Sequence, residues 1–321
     1  MTEVEDSFRQ ARIRAARHMA ACESAGLRWS ETSITEIIAS QAARAVTVVP
    51  FTQPAEALSG ADWIWWWVDA TSAYGMLVQA KRVTVRDGKW GFDFGYEIGG
   101  TGRMQREVLR STAQALDLLP VYALYLGTGD YRRWERCSET HRSGRCPACV
   151  KRTISLMPEL VASECIINDA ASTYESSVAL EELWTPPTEA ALLSPLLESQ
   201  LAPELADFLQ APQSGTRAIT RSMIDRILRA RMGAFSAPSP IAASIILGEH
   251  DQLGPVFKYV PDDTGHFGLP YFERTLRPLR HAPPAYVVGI MTNDFDEERL
   301  QSNLPENIAG VIVARPPQHG G

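Results

Sequence analysis

Residues 60–82 read GADWIWWWVDATSAYGMLVQAKR, and the reading of the whole chain follows from them. Trp63 to Val68 is wholly aromatic or branched, and the chain from Met76 is apolar as far as Gln79. Two strands are expected, with Asp69 to Gly75 as the loop between them. With a turn centred near residues 70–72, Asp62 lies across from residues 78–82, within roughly 5 Å of one of them. Side chains alternate along a strand, so Gln79 and Lys81 share a face while Val78 and Ala80 take the other. A carboxylate, an amide and an ammonium group are thus expected at the end of an apolar hairpin, where burial is costly unless something satisfies them. Magnesium meets that need with hard oxygen ligands: the Asp62 carboxylate, the Gln79 amide oxygen and the Ala80 carbonyl. Lys81 then steadies an attacking hydroxide or a phosphate oxygen. Taken singly, Asp62 reads as a turn residue and Gln79 and Lys81 as a strand end whose long side chains reach for water.

The flanking elements set the order. Residues 4–26 carry acids and arginines throughout, have no apolar signal core and stop at Gly26, which describes an amphipathic helix. A second helix over residues 31–45 has Ile34, Ile37, Ile38 and Ala45 at helical spacing, with Ser33 and Glu36 as its capping box. Val46 to Phe51 reads as a strand ahead of the hairpin, and residues 84–102 as an extra hairpin or loop after it. Met104, Val108, Leu109 and Ala113 recur at helical intervals, and Val121 to Leu126 closes the series as a buried strand. The order is helix, strand, strand, strand, helix, strand. A strand as apolar as Trp63, Trp65, Trp66 and Trp67 is read as core in preference to a base-stacking surface.

Asp62, Gln79 and Lys81, in that order of elements, resemble the PD-(D/E)XK nuclease superfamily, and Gln79-Ala80-Lys81-Arg82 is most similar to the Mrr-type restriction enzymes with a QxK motif. Alanine stands before Asp62 where the superfamily commonly has proline, and Gln79 stands in place of a carboxylate. The resemblance spans roughly residues 30–127 and implies a restriction-endonuclease-like fold: an αβββαβ core with a mixed central sheet flanked by helices. It also implies that the helix before the first core strand supplies a glutamate, for which Glu36 is chosen with Glu31 as its substitute. Gln105, opening the next helix, is expected to face the site, and Arg82 and Lys89 to touch substrate phosphate. The implied activity is hydrolysis of phosphodiester bonds in nucleic acid, DNA before RNA, with magnesium or manganese, in defence against foreign DNA. The alternative is a nuclease-like module that binds nucleic acid or a protein without cutting.

Beyond Gly127 the composition changes. Tyr131 to Arg152 holds seven Lys or Arg residues against two glutamates. Cys146-Pro-Ala-Cys149 has the spacing of a zinc knuckle, which Cys137 or His141 with Cys165 would complete; the competing reading is unliganded thiols in a basic loop. A zinc-stabilised interaction protein is therefore a third reading. Residues 155–232 are expected to be mainly helical, with Arg217, Arg221, Arg226, Arg229 and Arg231 on a solvated face in preference to a phosphate-tracking one. Residues 235–240 read as a linker, and residues 241–247, 256–260, 286–291 and 310–314 as strands. The acids and histidines at 249–251 and 262–266 select no metal geometry. Five regions result: an N-terminal helix (1–30), the nuclease core (31–127), a basic Cys-rich segment (128–170), a helical region (171–240) and a C-terminal mixed α/β extension (241–321). The net charge of −7 disfavours an indiscriminate DNA coat, and no apolar run reaches the length of a membrane span. A soluble cytoplasmic protein is expected, with no membrane partner and with homodimer formation compatible.

Overall fold

A computed structural model describes residues 2–51, 62–86, 89–98, 102–127, 151–164, 170–185, 193, 201–234, 242–246, 254–263 and 270–316. Its first half follows the expected order: α1 (Glu3–Ser24), α2 (Glu31–Ala42), β1 (Val46–Pro50), β2 (Asp62–Val68), β3 (Ala73–Arg82), β4 (Thr84–Arg86), β5 (Lys89–Gly91), α3 (Gln105–Ala115) and β6 (Leu119–Tyr125). The second half adds β7 (Ile154–Pro158), α4 (Glu159–Glu164), α5 (Ala170–Ser176), β8 (Val178–Ala179), α6 (Pro203–Gln210) and α7 (Gly215–Ala234). It ends with β9 (Ala242–Ile246), β10 (Tyr259–Asp262), α8 (Tyr271–Leu276), β11 (Leu279–Arg280), α9 (Ala285–Thr292), α10 (Glu297–Ser302) and β12 (Ile308–Ala314).

The main sheet has the order β1-β12-β2-β3-β6-β7-β8, with β11 paired to the start of β3. It is mixed: β12 runs parallel to β2 and β6 parallel to β3, while β2 and β3 are antiparallel. Helices cover both faces. Phe8 of α1 packs against Trp65 and Trp67 on one face, and Tyr286 of α9 meets Trp66 on the other. Trp65, Trp66 and Trp67 are all buried, so the tryptophan run is core.

Two expectations about the sheet need correction. The strand that neighbours β2 is β12, from the far end of the chain, which lies between β1 and β2. Likewise β7 and β8 extend the sheet beyond β6, within residues expected to be Cys-rich or helical. The sheet therefore draws strands from both sides of residues 127 and 240, so its core is not confined to residues 31–127. The run 286–291 is a helix, not a strand. An unbroken apolar run carries no period that separates the two. Here Pro284 stands at the N-cap and Asn293 takes a left-handed conformation (φ 56°) at the C-cap, and these set the helix.

Glycines make room for the tryptophans. Gly75 is the cross-strand partner of Trp66, and a Cβ there would meet the Trp66 ring at 2.8 Å and the Leu118 side chain as well. Gly310 is the partner of Trp63, and its Cβ would meet that ring at 2.7 Å. At the β2–β3 turn, Asp69 Oδ1 accepts from Thr71 N (2.8 Å) and Ser72 N (3.0 Å), while Oδ2 accepts from Thr216 N (2.8 Å) at the start of α7. Burial pushes the Asp69 carboxyl up, but the donors from Thr216 and Thr71 outweigh it and hold the group below its ordinary range.

Candidate functional site

The β2–β3 ladder pairs Trp63 with Val78, so one step further places residue 62 at the register position of Gln79. There β2 begins, while β3 runs on to Arg82. The two strands thus make a fork with β3 as the longer prong. On the other side of β2, the pairing with β12 shifts between Ile308 and Gly310, so a bulge stands beside Asp62, a placement common near active sites.

Gln79 is 2% exposed and Lys81 7% exposed, and strand alternation sets them on the same face as Gly75, toward α3. The Lys81 ammonium donates to the Gln105 Oε1 at the first residue of α3. Gln105, expected to face the site, is therefore its direct neighbour. An ammonium this buried requires an oxygen partner, and an amide supplies one without the charge that would neutralise it.

The vacated edge of β3 is occupied from the opposite side. Val83 N donates to Tyr125 O, so odd-numbered amides of β3 point to β6 and even-numbered ones to the fork. Arg82 N, on the fork side, donates to Glu31 Oε1 at 2.9 Å. By the same alternation the Ala80 carbonyl faces the fork. Thr35 holds the helix in place: its hydroxyl lies 2.7 Å from the Tyr125 hydroxyl and donates to Glu31 O at 2.9 Å. Burial pushes the Tyr125 phenol well above its ordinary value; the Thr35 contact opposes this and the Glu31 charge adds to it.

Glu31, not Glu36, is thus the α2 carboxylate at the fork. Glu36 is exposed, on the side of α2 away from buried Ile34, Thr35 and Ile38. The reason is the true helix start. Ser30 is the N-cap and forms the capping box with Ser33, so the box expected at Ser33 and Glu36 does not exist. Residues 31, 35 and 38 then share a stripe, a signal readable from the sequence by counting from Ser30. Arg82 is also placed differently from expectation. Its guanidinium donates to Trp29 O at 2.9 Å, tying the α1–α2 connection to the end of β3. In the β4–β5 hairpin residue 89 is the backbone register partner of residue 86.

Cys137, His141, Cys146, Cys149 and Cys165 lie outside the described residues. Among the described residues no three His, Cys, Asp or Glu side chains gather in a group that could hold a metal ion. Three of the α7 arginines, Arg217, Arg221 and Arg229, have partners within the fold and do not make the expected solvated face. Arg221 is buried and donates to Ala211 O (2.5 Å), Arg229 pairs with Asp225 (2.7 Å), and Arg217 lies 5.1 and 5.6 Å over the Phe208 and Phe257 rings. A pocket of about 90 Å³ between α3 and α8 lies toward the other end of α3. Its charges are paired, with Asp117 bridging Arg277 (2.8 Å) and Arg280 (2.9 Å).

Fold and site together define a mixed-sheet α/β protein with a polar fork at the end of an apolar hairpin. The chain belongs to DUF6615, a family of unknown function whose profile matches residues 4–317. No curated protein and no solved structure matches it. No helix among the described residues is long and apolar enough to cross a membrane.

Proposed function

We propose that this chain is a metal-dependent phosphodiesterase acting on nucleic acid, DNA in the first instance, with its site at the β2–β3 fork. The observation that carries the reading is the placement of Gln79 and Lys81 on one buried face, with residue 62 in register with Gln79 and Glu31 at the vacated strand edge. These donors are hard oxygens, which suit magnesium or manganese and not a soft-ligand ion. Asp62, the Gln79 amide oxygen, the Ala80 carbonyl and Glu31 are the groups that would hold it. Such an ion, when bound, polarises the scissile phosphate and makes a water more acidic.

The chain's own contribution is orientation and charge. Water attacks phosphorus, the bond to the leaving oxygen breaks, and negative charge gathers on the phosphoryl oxygens. Lys81 stabilises that charge, and Gln105 fixes the direction of its ammonium. Full-length protein incubated with plasmid and magnesium should cut, and a chelator should stop it. Lys81→Ala should lower cleavage by about a thousandfold while leaving the far-ultraviolet spectrum unchanged. Cleavage retained in that variant overturns the mechanism. One observation favours the second reading, a module that binds without cutting: the middle position is the neutral amide of Gln79, which offers a cation less charge than a carboxylate. Binding of the same plasmid without any cutting is the result that reading requires.

A further inference from the structure

Phe94, with Phe92 stacked on it, lies over the face of the sheet that carries Gln79. Phe92, Phe94 and Tyr96 stand at alternate positions in the chain, and the first two are buried. Their rings stack 5.7 Å apart at 16°, and Phe94 continues onto Tyr122 at 4.7 Å; Tyr122 is the β6 residue paired with Gln79. Tyr96, two residues further on, is 53% exposed.

The backbone holds Tyr96 beside the proposed chemistry. Its carbonyl accepts from Gln105 N at 2.9 Å, and the Gln105 side chain accepts from Lys81. The Glu97–Met104 bridge and the bond from Ile98 N to Arg103 O (2.9 Å) close the hairpin behind it. Arg103 and Arg106 place positive charge in the same hairpin and its helix. The neighbouring acids turn to their own backbone: Glu97 accepts from Gly102 N (2.9 Å), Glu107 from Met104 N (3.3 Å) and Asp93 from Gly95 N (3.2 Å). A half-exposed phenol ring whose main chain is two hydrogen bonds from Lys81 is a platform on which another flat ring can stack.

We infer that Tyr96 stacks on an unpaired base next to the phosphate held at the fork, so that the substrate is a single strand or a duplex with a base turned out. This rests on the nucleic-acid reading above and narrows it. The test uses full-length protein, calcium in place of magnesium, and a single-stranded DNA oligonucleotide carrying 2-aminopurine, with the matched duplex as comparison. The wild type should quench the 2-aminopurine signal and prefer the single strand. Tyr96→Ala should weaken single-strand binding by about tenfold and abolish the quench, while Tyr96→Phe, which keeps the ring, retains both. The melting temperature should not move, because the side chain is exposed.

Binding and quench unchanged in Tyr96→Ala, or equal losses in the Ala and Phe variants, overturn the inference. So does a wild type that binds neither strand form. If plasmid is cut but Tyr96→Ala binds normally, this inference fails and the phosphodiesterase reading stands. Tyr96-dependent binding without cutting supports this inference and removes the catalytic one.

Discussion

The two ends of strand β3 differ in what they are packed against. Its first half, Ala73 to Val78, is dry: β2 lines one side, β11 and β6 the other, and every residue is buried. Its last residues, Gln79 to Arg82, have lost β2, and the neighbours there are Glu31, Gln105, Tyr125 and the main-chain carbonyl of Trp29. In the first half specificity comes from shape, with Gly75 fitted against an indole. At the fork it comes from hydrogen bonds: Lys81 to Gln105, Arg82 N to Glu31 and the Arg82 guanidinium to Trp29 O. Packing at one end holds the strand rigid so that polar groups can be exact at the other, the arrangement a preorganised site requires.

The sharpest way to break this contrast is at Gly75. An added methyl must displace the Trp66 ring, which is 1% exposed, tied to Tyr286 by a 2.7 Å hydrogen bond and unable to yield. Gly75→Ala should cost about 3 kcal/mol in denaturant unfolding. A loss under about 0.5 kcal/mol would mean that the dry half is loosely packed, and its role as a rigid support would go with it.

The sequence made this half of the molecule legible and the fork only partly so. The hairpin, its turn, both early helices, α3 and β6 were all readable because their periods are local. What could not be read was how distant strands dock. Nothing in Ile308 to Ala314 says that it enters between β1 and β2, because strand pairing is decided by long-range packing and not by propensity. At the fork, the shared face of Gln79 and Lys81 followed from alternation and Gln105 came from the family resemblance, whereas Glu31 was ranked behind Glu36 because the helix cap was misplaced.

That misplacement yields the second prediction. Glu31→Gln keeps an oxygen for Arg82 N but removes the charge, whereas Glu36→Gln changes only an exposed position. The first should lower magnesium-dependent cleavage by at least about tenfold, about 1.4 kcal/mol of barrier, and the second should leave it unchanged. The reverse outcome would return the site to Glu36 and detach it from the edge of β3. Magnesium titration of both variants is the more telling measurement, since loss of a ligand raises the concentration needed and loss of fold does not.

The smallest effect should come from Tyr125→Phe, and its smallness is the point. Removing the phenol hydroxyl deprives Thr35 of one partner, but the Thr35 hydroxyl retains Glu31 O at 2.9 Å. No buried donor is orphaned, so unfolding should cost about 1 kcal/mol, well below the Gly75→Ala loss. Because Thr35 and Glu31 lie one turn apart on α2, the same variant lets the Glu31 carboxylate drift from Arg82 N, and cleavage should fall further than stability does. A variant that lost as much stability as Gly75→Ala with cleavage unchanged would reverse the assignment of the two ends of β3, placing structural weight at the fork and leaving its polar groups without chemical work.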